Sequence, residues 1–355
     1  MQLLPLVRSA SSVSVVGMVK NAGKTVTLNH LIREATEAGI CLGLTSTGRD
    51  GEQRDVITEL PKPAIHVPAG SLVATAQAGL DQATAEVDVL LATRHITRMG
   101  RVVIARVTKP GKLELIGPKT MKQIAEVLGK MKRLGAEMTL VDGAFDRIAS
   151  AAPGITDATI LATGAALSAS MTITVAKTQM TKELFALTPP PDVRLGILAF
   201  NIVSDRKVAF IGKNYERLDV PVRTALGQSE AIARYYPHGA RALVLGGSLT
   251  DSIIETVIKF DLSGKLPLIV ADGTRVFLDT AIWRRFLRAG GSLYCLNPIN
   301  LVAVTVNPTS PFSPGYNPDV FLAAMGAALY PVPVFDLVAN KSANTSVQAM
   351  VERTQ

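Results

Sequence analysis

Ser14-Val15-Val16-Gly17-Met18-Val19-Lys20-Asn21-Ala22-Gly23-Lys24-Thr25 is the stretch that decides the fold. Upstream, Ser12–Val16 is a short β-branched run that reads as a strand. Downstream, Thr25–Ala38 places Leu28, Leu31, Ile32 and Ala35 on one helical face. Between strand and helix lies a loop that closes on Gly23-Lys24-Thr25. In that setting the loop amides and the helix N-terminus would face a phosphate, where the helix dipole also favours negative charge. Lys24 would reach the β- and γ-phosphates, and the Thr25 hydroxyl would ligate magnesium. The expected binding segment is a P-loop comprising Gly17, Lys20, Asn21, Ala22, Gly23, Lys24, Thr25 and Val26. The usual spacing puts the first glycine at position 18, where this chain has Met18 after Gly17. Either the loop is one residue longer, or Met18 occupies a backbone region that tolerates a side chain.

Two further segments belong with this loop. Asp142 ends the apolar run Met138–Val141 and precedes Gly143, so it reads either as a carboxylate that holds magnesium or as an Asp-Gly turn. Thr45-Ser46-Thr47-Gly48-Arg49-Asp50-Gly51-Glu52 follows the next strand, Ile40–Thr45. A loop at that strand end lies near the γ-phosphate in an open α/β sheet. Asp50 or Glu52 would then orient the attacking water or touch magnesium, with Arg49 neutralising phosphate charge; the other reading is a polar loop with an incidental acid. The catalytic set is therefore Lys24, Asp50 and Glu52, and the metal set Thr25, Asp142 and Asp50, with ATP and Mg2+ as the ligands. No Asn-Lys-x-Asp segment of the guanine-reading kind is present, which favours ATP.

Strands and helices alternate along the chain, and aromatic residues make up only 5%. That composition suits a parallel sheet buried on both faces. Val102–Val107 and Lys112–Ile116 flank Lys109-Pro110-Gly111 and read as a β-hairpin. Pro189-Pro190-Pro191 is the strongest linker signal. The expected organisation is α/β throughout: a P-loop NTPase domain over residues 1–188 with a mainly parallel sheet, then a second α/β domain over residues 192–355. Within the latter, Leu301–Val306 and Val332–Leu337 read as strands.

The net charge of +8 raises the question of nucleic acid. Lys119, Lys122, Lys130, Lys132 and Arg133 cluster, but Ile124, Val127, Leu128 and Met131 between them follow helical spacing, so the charges read as the polar face of an amphipathic helix or as a phosphate-binding patch. No interleaved aromatic and basic strand pattern of the base-stacking kind occurs, which argues against nucleic acid. Cys41 and Cys295 have no metal-site spacing and read as buried free thiols, and the four histidines are isolated. The stretch Ala158–Ala176 is too rich in Ser and Thr for a membrane span, and Leu3–Leu6 is too short for a signal peptide. A soluble cytoplasmic protein is expected, with no membrane association.

Four segments, Ser14–Thr27, Gly43–Asp55, Gly100–Val107 and Thr139–Ser168, carry a resemblance. Together with Val304–Asp319 they resemble the P-loop subunit of lysine 5,6-aminomutase reactivase. More distantly, the P-loop part is similar to ATPases related to dethiobiotin synthetase and MinD, although Lys20 stands one residue off the register of their extra loop lysine. The resemblance implies a Mg-dependent ATPase. It would release damaged cobalamin from an adenosylcobalamin- and pyridoxal-phosphate-dependent aminomutase, working with a second reactivase subunit. The alternative from another class is an ATP-dependent small-molecule kinase or ligase. Its substrate would lie between the two domains, near Gly246-Gly247-Ser248 and Asp272-Gly273-Thr274, which otherwise read as ordinary strand-to-helix turns.

Overall fold

The computed structural model describes residues 2–47, 65–143, 156–222, 229–260 and 266–343. The chain forms two compact units, one of Met1–Val175 with Leu301–Gln355 and the other of Ala176–Asn300.

From the N-terminus the elements are α1 (Leu4–Val7), β1 (Ser12–Gly17), α2 (Lys24–Glu37), β2 (Leu42–Ser46), β3 (Ile65–Val67), β4 (Leu72–Ala76) and α3 (Gln77–Asp81). They continue with β5 (Glu86–Thr97), β6 (Gly100–Lys109), β7 (Gly111–Leu113), α4 (Met121–Arg133), β8 (Met138–Asp142) and β9 (Ala158–Gly164). Helix α5 (Met171–Phe185) carries the chain across the division between the units. The second unit holds α6 (Val193–Ser204), β10 (Val208–Ile211), β11 (Arg217–Asp219), α7 (Ser229–Arg234), β12 (Ala242–Leu245), β13 (Leu249–Thr250) and α8 (Asp251–Phe260). It is completed by β14 (Leu268–Val270), β15 (Val276–Phe277), α9 (Thr280–Arg288) and β16 (Leu293–Cys295). The chain then returns to the first unit with β17 (Leu301–Asn307), α10 (Pro318–Leu329), β18 (Val334–Asp336) and β19 (Lys341–Ser342).

The first unit is a mixed α/β fold on a large, mostly parallel sheet, ordered β19-β18-β17-β9-β1-β8-β2-β4-β6-β5. The strands from β18 to β4 run parallel, and antiparallel strands close both edges. Every residue of β1, β2 and β9 is buried, which is why these strands read as unbroken small and aliphatic runs. Val13, Val15 and Leu140 pack with Leu28, Leu31 and Ala35 of α2. Val141, Leu72 and Ile104 pack with Ile124, Val127 and Met131 of α4. Thr120 and Gln123 form a reciprocal capping box at the start of α4, and Lys130, Lys132 and Arg133 lie in its last turn, where the dipole favours cations.

Three expectations are corrected here. The boundary at residues 188–192 does not coincide with the division between the units. β17 pairs in parallel with β9, from Leu301 opposite Thr159 to Asn307 opposite Gly164, so residues 192–355 do not form one C-terminal domain. Nor is the Pro run a linker: Pro190 is buried, Thr188 O accepts the Cys295 amide at 3.0 Å, and Asp192 caps α6. Finally, Lys109-Pro110-Gly111 is not a hairpin turn. β6 pairs with β4 and β5, whereas β7 leaves to pair with β3.

The second unit is also α/β, with a five-stranded sheet ordered β11-β10-β12-β14-β16. Its β12, β14 and β16 are parallel, and β10 and β11 are antiparallel. Cys295 is buried, and burial, followed by the Asp272 carboxylate, pushes its thiol pKa up to about 12. Cys41, expected to be buried, is only half-buried. Arg284 pairs with Glu183 at 2.9 Å and Arg285 with Glu255 at 3.5 Å, so the arginines around Trp283 are partnered within their own unit. Among the described residues no helix is long and apolar enough to cross a membrane.

Candidate functional site

The order of the large sheet reverses around β1. The chain leaves β1 through α2 toward β2, with β8 later filling the space between, while β9, β17 and β18 are added on the other side. Ligands of open α/β sheets bind outside the carboxyl ends of the strands at such a point. Here those ends are Gly17, Asp142, Gly164 and Asn307.

The loop between β1 and α2 is shaped by its backbone. Asn21 and Gly23 both adopt left-handed conformations, with φ of +60° and +97°. Gly23 is the N-cap of α2 and contributes no side-chain cap, so the first-turn amides are left to other partners. The Met18 amide donates to Ala162 O of β9 at 2.9 Å, which fixes the start of the loop to the neighbouring strand.

Lys24, the first residue of α2, folds back over the end of β1. A Cβ on Gly17 would meet Lys24 Cγ at 2.8 Å and Cδ at 3.0 Å, so the missing side chain of Gly17 makes room for the lysine stem. Gly17, rather than position 18, is the residue over which the lysine packs. The Lys24 ammonium donates to Asp142 Oδ1 at 3.3 Å and to Gly143 O. Asp142 reaches it because β8 lies directly beside β1 with Val15 opposite Asp142. The Gly143 amide donates back to Val15 O, and Thr47 N donates to Asp142 O, both at 2.9 Å. Lysine and carboxylate thus meet from elements more than a hundred residues apart.

Thr25 follows Lys24 in the same first turn and is half-buried, Ala22 is buried, and Val26 points to solvent. Lys20 is half-buried within the loop and has interactions of its own. Asp50, Glu52 and Arg49 lie outside the described residues, so the structure brings together Gly17, Lys24 and Asp142 but says nothing of those three.

One residue was not picked out from the sequence. Asn307, at the end of β17, donates its Nδ2 to Asn21 O at 2.9 Å, and its Oδ1 accepts from the Thr309 amide at 3.1 Å and hydroxyl at 2.8 Å. Its backbone occupies the space a side chain on Gly164 would need. The segment Val304–Asp319 carried the only sequence signal, and nothing in it indicated contact with a loop nearly three hundred residues earlier. Thr27 strengthens the same junction: its hydroxyl meets that of Thr305 on β17 at 2.7 Å.

At the opposite, amino end of these strands two carboxylates serve structure. Asp157 Oδ2 accepts from the amides and hydroxyls of Ser11 and Ser12 at 2.7–3.0 Å. Glu34, buried on α2, accepts the Leu3 and Leu4 amides at 2.8 and 2.7 Å and meets His30 Nε2 at 2.9 Å. Burial opposes the charge on Glu34, but the His30 hydrogen bond and the two amides outweigh it and hold its pKa below the ordinary value.

Comparison with protein-family models, with curated proteins and with solved structures finds no match.

Proposed function

We propose that the first unit binds a nucleoside triphosphate with magnesium, ATP being the nucleotide favoured by the absence of a guanine-reading segment. The observation that carries the reading is the placement of Lys24: a lysine in the first turn of a helix, its stem over Gly17 and its ammonium against Asp142 at the adjacent strand end. The helix N-terminus that follows these left-handed residues has no side-chain cap, so its first-turn amides could meet phosphate oxygens. The donor set also fits magnesium, since a threonine hydroxyl and an aspartate carboxylate are hard oxygen ligands, and Asp142 already reaches the lysine that would share the phosphates. Bound there, magnesium would neutralise phosphate charge. Lys24 would hold the terminal phosphates, and the loop amides would orient them.

The wider role rests on the sequence resemblance. Under it the chain is the ATPase-like subunit of a reactivating factor, and ATP binding favours a state that releases damaged cobalamin from an aminomutase. Any such coupling is reciprocal, so the client must in turn alter nucleotide affinity. The kinase or ligase alternative gains no support from Gly246 and Gly273. Backbone of Lys207 and of Leu184 fills the space beside each, and Asp272 is occupied in accepting the Thr274 amide at 2.9 Å.

Lys24→Ala is the test. Calorimetry with Mg-ATP should show binding to the native chain and at least a hundred-fold weaker binding to the variant, with the melting temperature nearly unchanged. Equal affinity would remove the phosphate assignment. A parallel hydrolysis assay separates the roles: stimulation by an inactivated cobalamin enzyme with a partner subunit supports the reactivating factor, and stimulation by a small acid or amine alone supports the metabolic enzyme.

A further inference from the structure

Helix α6 of the second unit is apolar on both faces. Leu195, Ala199 and Ile202 are buried against the β10–β12–β14 side of their sheet, which accounts for one face. On the other, Val193, Ile197 and Phe200 are 74%, 60% and 61% exposed. Their spacing of four and three residues puts them in one stripe along the helix. Single exposed apolar residues need no explanation, but a contiguous stripe does. Beside it runs an open groove of about 410 Å³, its other lining formed by Pro189, Pro190, Gly196, Leu296 and Asn297.

Two arginines lie at the start of the same helix, Arg194 within it and Arg241 just before β12, beside the N-cap carboxylate of Asp192. Arg194 and Arg241 clasp the Tyr215 ring from 4.2 and 4.3 Å, and the Tyr215 hydroxyl donates to Asp192 Oδ2 at 2.6 Å. Asp192 is thereby occupied, since its other oxygen accepts the amides of Arg194 and Leu195. Arg241 Nε donates to Lys213 O at 2.7 Å. Among the described residues the remaining guanidinium N–H groups of both arginines find no acceptor. Both arginines are exposed, and stacking on tyrosine preorganises a guanidinium for a planar carboxylate. Tyr215 keeps its place with a φ of +67°, a conformation costly for a bulky residue.

We propose that the exposed face of α6 is a docking surface for a partner protein segment that presents an aliphatic stripe flanked on one side by Asp or Glu. The aliphatic side chains lie along Val193, Ile197 and Phe200 and enter the groove. The carboxylates meet Arg194 and Arg241. Charge complementarity selects an acidic partner, and a groove beside the stripe suits discrete side chains better than a lipid surface. The assignment concerns the second unit alone and stands or falls separately from nucleotide binding by the first.

The test uses the full chain and three fluorescein-labelled helical peptides of equal length, read by anisotropy. One has leucines at the stripe spacing with glutamates on one flank, one has lysines in place of the glutamates, and one has serines in place of the leucines. The leucine–glutamate peptide is expected to bind at least ten-fold tighter than either control. Phe200→Ser should weaken it at least ten-fold, as should Arg194→Glu with Arg241→Glu. Thermal melting checks that each variant is folded, and Ile197→Ser replaces any that is not. Failure of the native chain to bind, or equal binding of the three peptides, overturns the proposal. So does a dimer in sedimentation that Phe200→Ser dissociates, since the occupant is then a second copy. Binding to phosphatidylserine vesicles that is lost with Phe200→Ser, without a peptide preference, overturns it in favour of a membrane.

Discussion

The two units meet the same structural problem with glycines that do different work. Both have parallel strands that end in glycine-containing turns ahead of helical segments. In the second unit the space beside Gly246 is filled by the Lys207 carbonyl, 2.6 Å from where a Cβ would stand, and the space beside Gly273 by the Leu184 carbonyl. Backbone cannot retreat without moving its own element, so these glycines are packing residues. In the first unit the space beside Gly17 is filled by the stem of Lys24, a flexible side chain with a charged end. The space beside Gly17 is held by a side chain that can move, whereas the spaces beside Gly246 and Gly273 are closed by backbone.

The largest effect expected from this contrast is in the second unit. Gly273→Ala should destabilise it by about 3 kcal/mol, the upper range for forcing atoms into a packed site. Chemical denaturation followed by Trp283 fluorescence reads this directly, since the single tryptophan is buried in that unit. A change below about 1 kcal/mol would mean the backbone yields easily, and the distinction between the two kinds of glycine would lose its basis.

The next effect is the pH dependence of the first unit. Glu34 belongs to the first unit, and its folded-state pKa lies below the ordinary value, although burial alone would raise it. A depressed carboxylate contributes stability that is present above its unfolded pKa, about 4.3, and is lost as pH falls through the folded value. Acid should therefore weaken the first unit in the window below about pH 4.3. Glu34→Gln should cost about 2 kcal/mol near neutrality, because two amides lose a charged acceptor, and should flatten that acid limb. Melting curves between neutrality and pH 3 compare the two proteins; parallel curves would show that Glu34 is not the titrating group.

How much of this was legible beforehand follows from what each signal depends on. β1, α2, β8 and β9 were readable because central parallel strands are aliphatic throughout and α2 keeps a clean apolar face. Lys24 at a helix start and Asp142 at a strand end are legible as residue types, and the structure brings the two together. Strands β17 and β18 are legible as strands but their unit is not, because β17 pairs with β9 across an inserted unit of more than a hundred residues and β18 pairs in turn with β17. The hairpin was misplaced for a related reason. Strand β5 pairs with β6 through three register irregularities, so its alternation is blurred, whereas Lys109-Pro110-Gly111 looks like a turn and only redirects the chain. Asn307 was invisible because an asparagine after a strand has no signature until its partner loop is known.

The smallest stability effect carries the sharpest test of the comparison. Gly17 lies in β1 with ordinary strand backbone, so alanine there meets no conformational penalty of the kind imposed at Gly23. Among the described residues its one severe contact is Lys24, at 2.8 Å from Cγ, and a lysine stem moves to another rotamer at a cost of about 1 kcal/mol. Gly17→Ala should thus leave the melting temperature nearly intact while turning the ammonium away from Asp142 and Gly143. Nucleotide affinity should fall by at least ten-fold, far out of proportion to the loss of stability. The double variant Gly17→Ala with Lys24→Ala closes the argument. With the stem removed, alanine at position 17 has nothing to displace, so it should add no further loss of affinity and none of stability. If alanine at 17 weakens binding as much without the lysine as with it, the glycine serves the loop backbone directly. The space beside Gly17 would then be as closed as those beside Gly246 and Gly273.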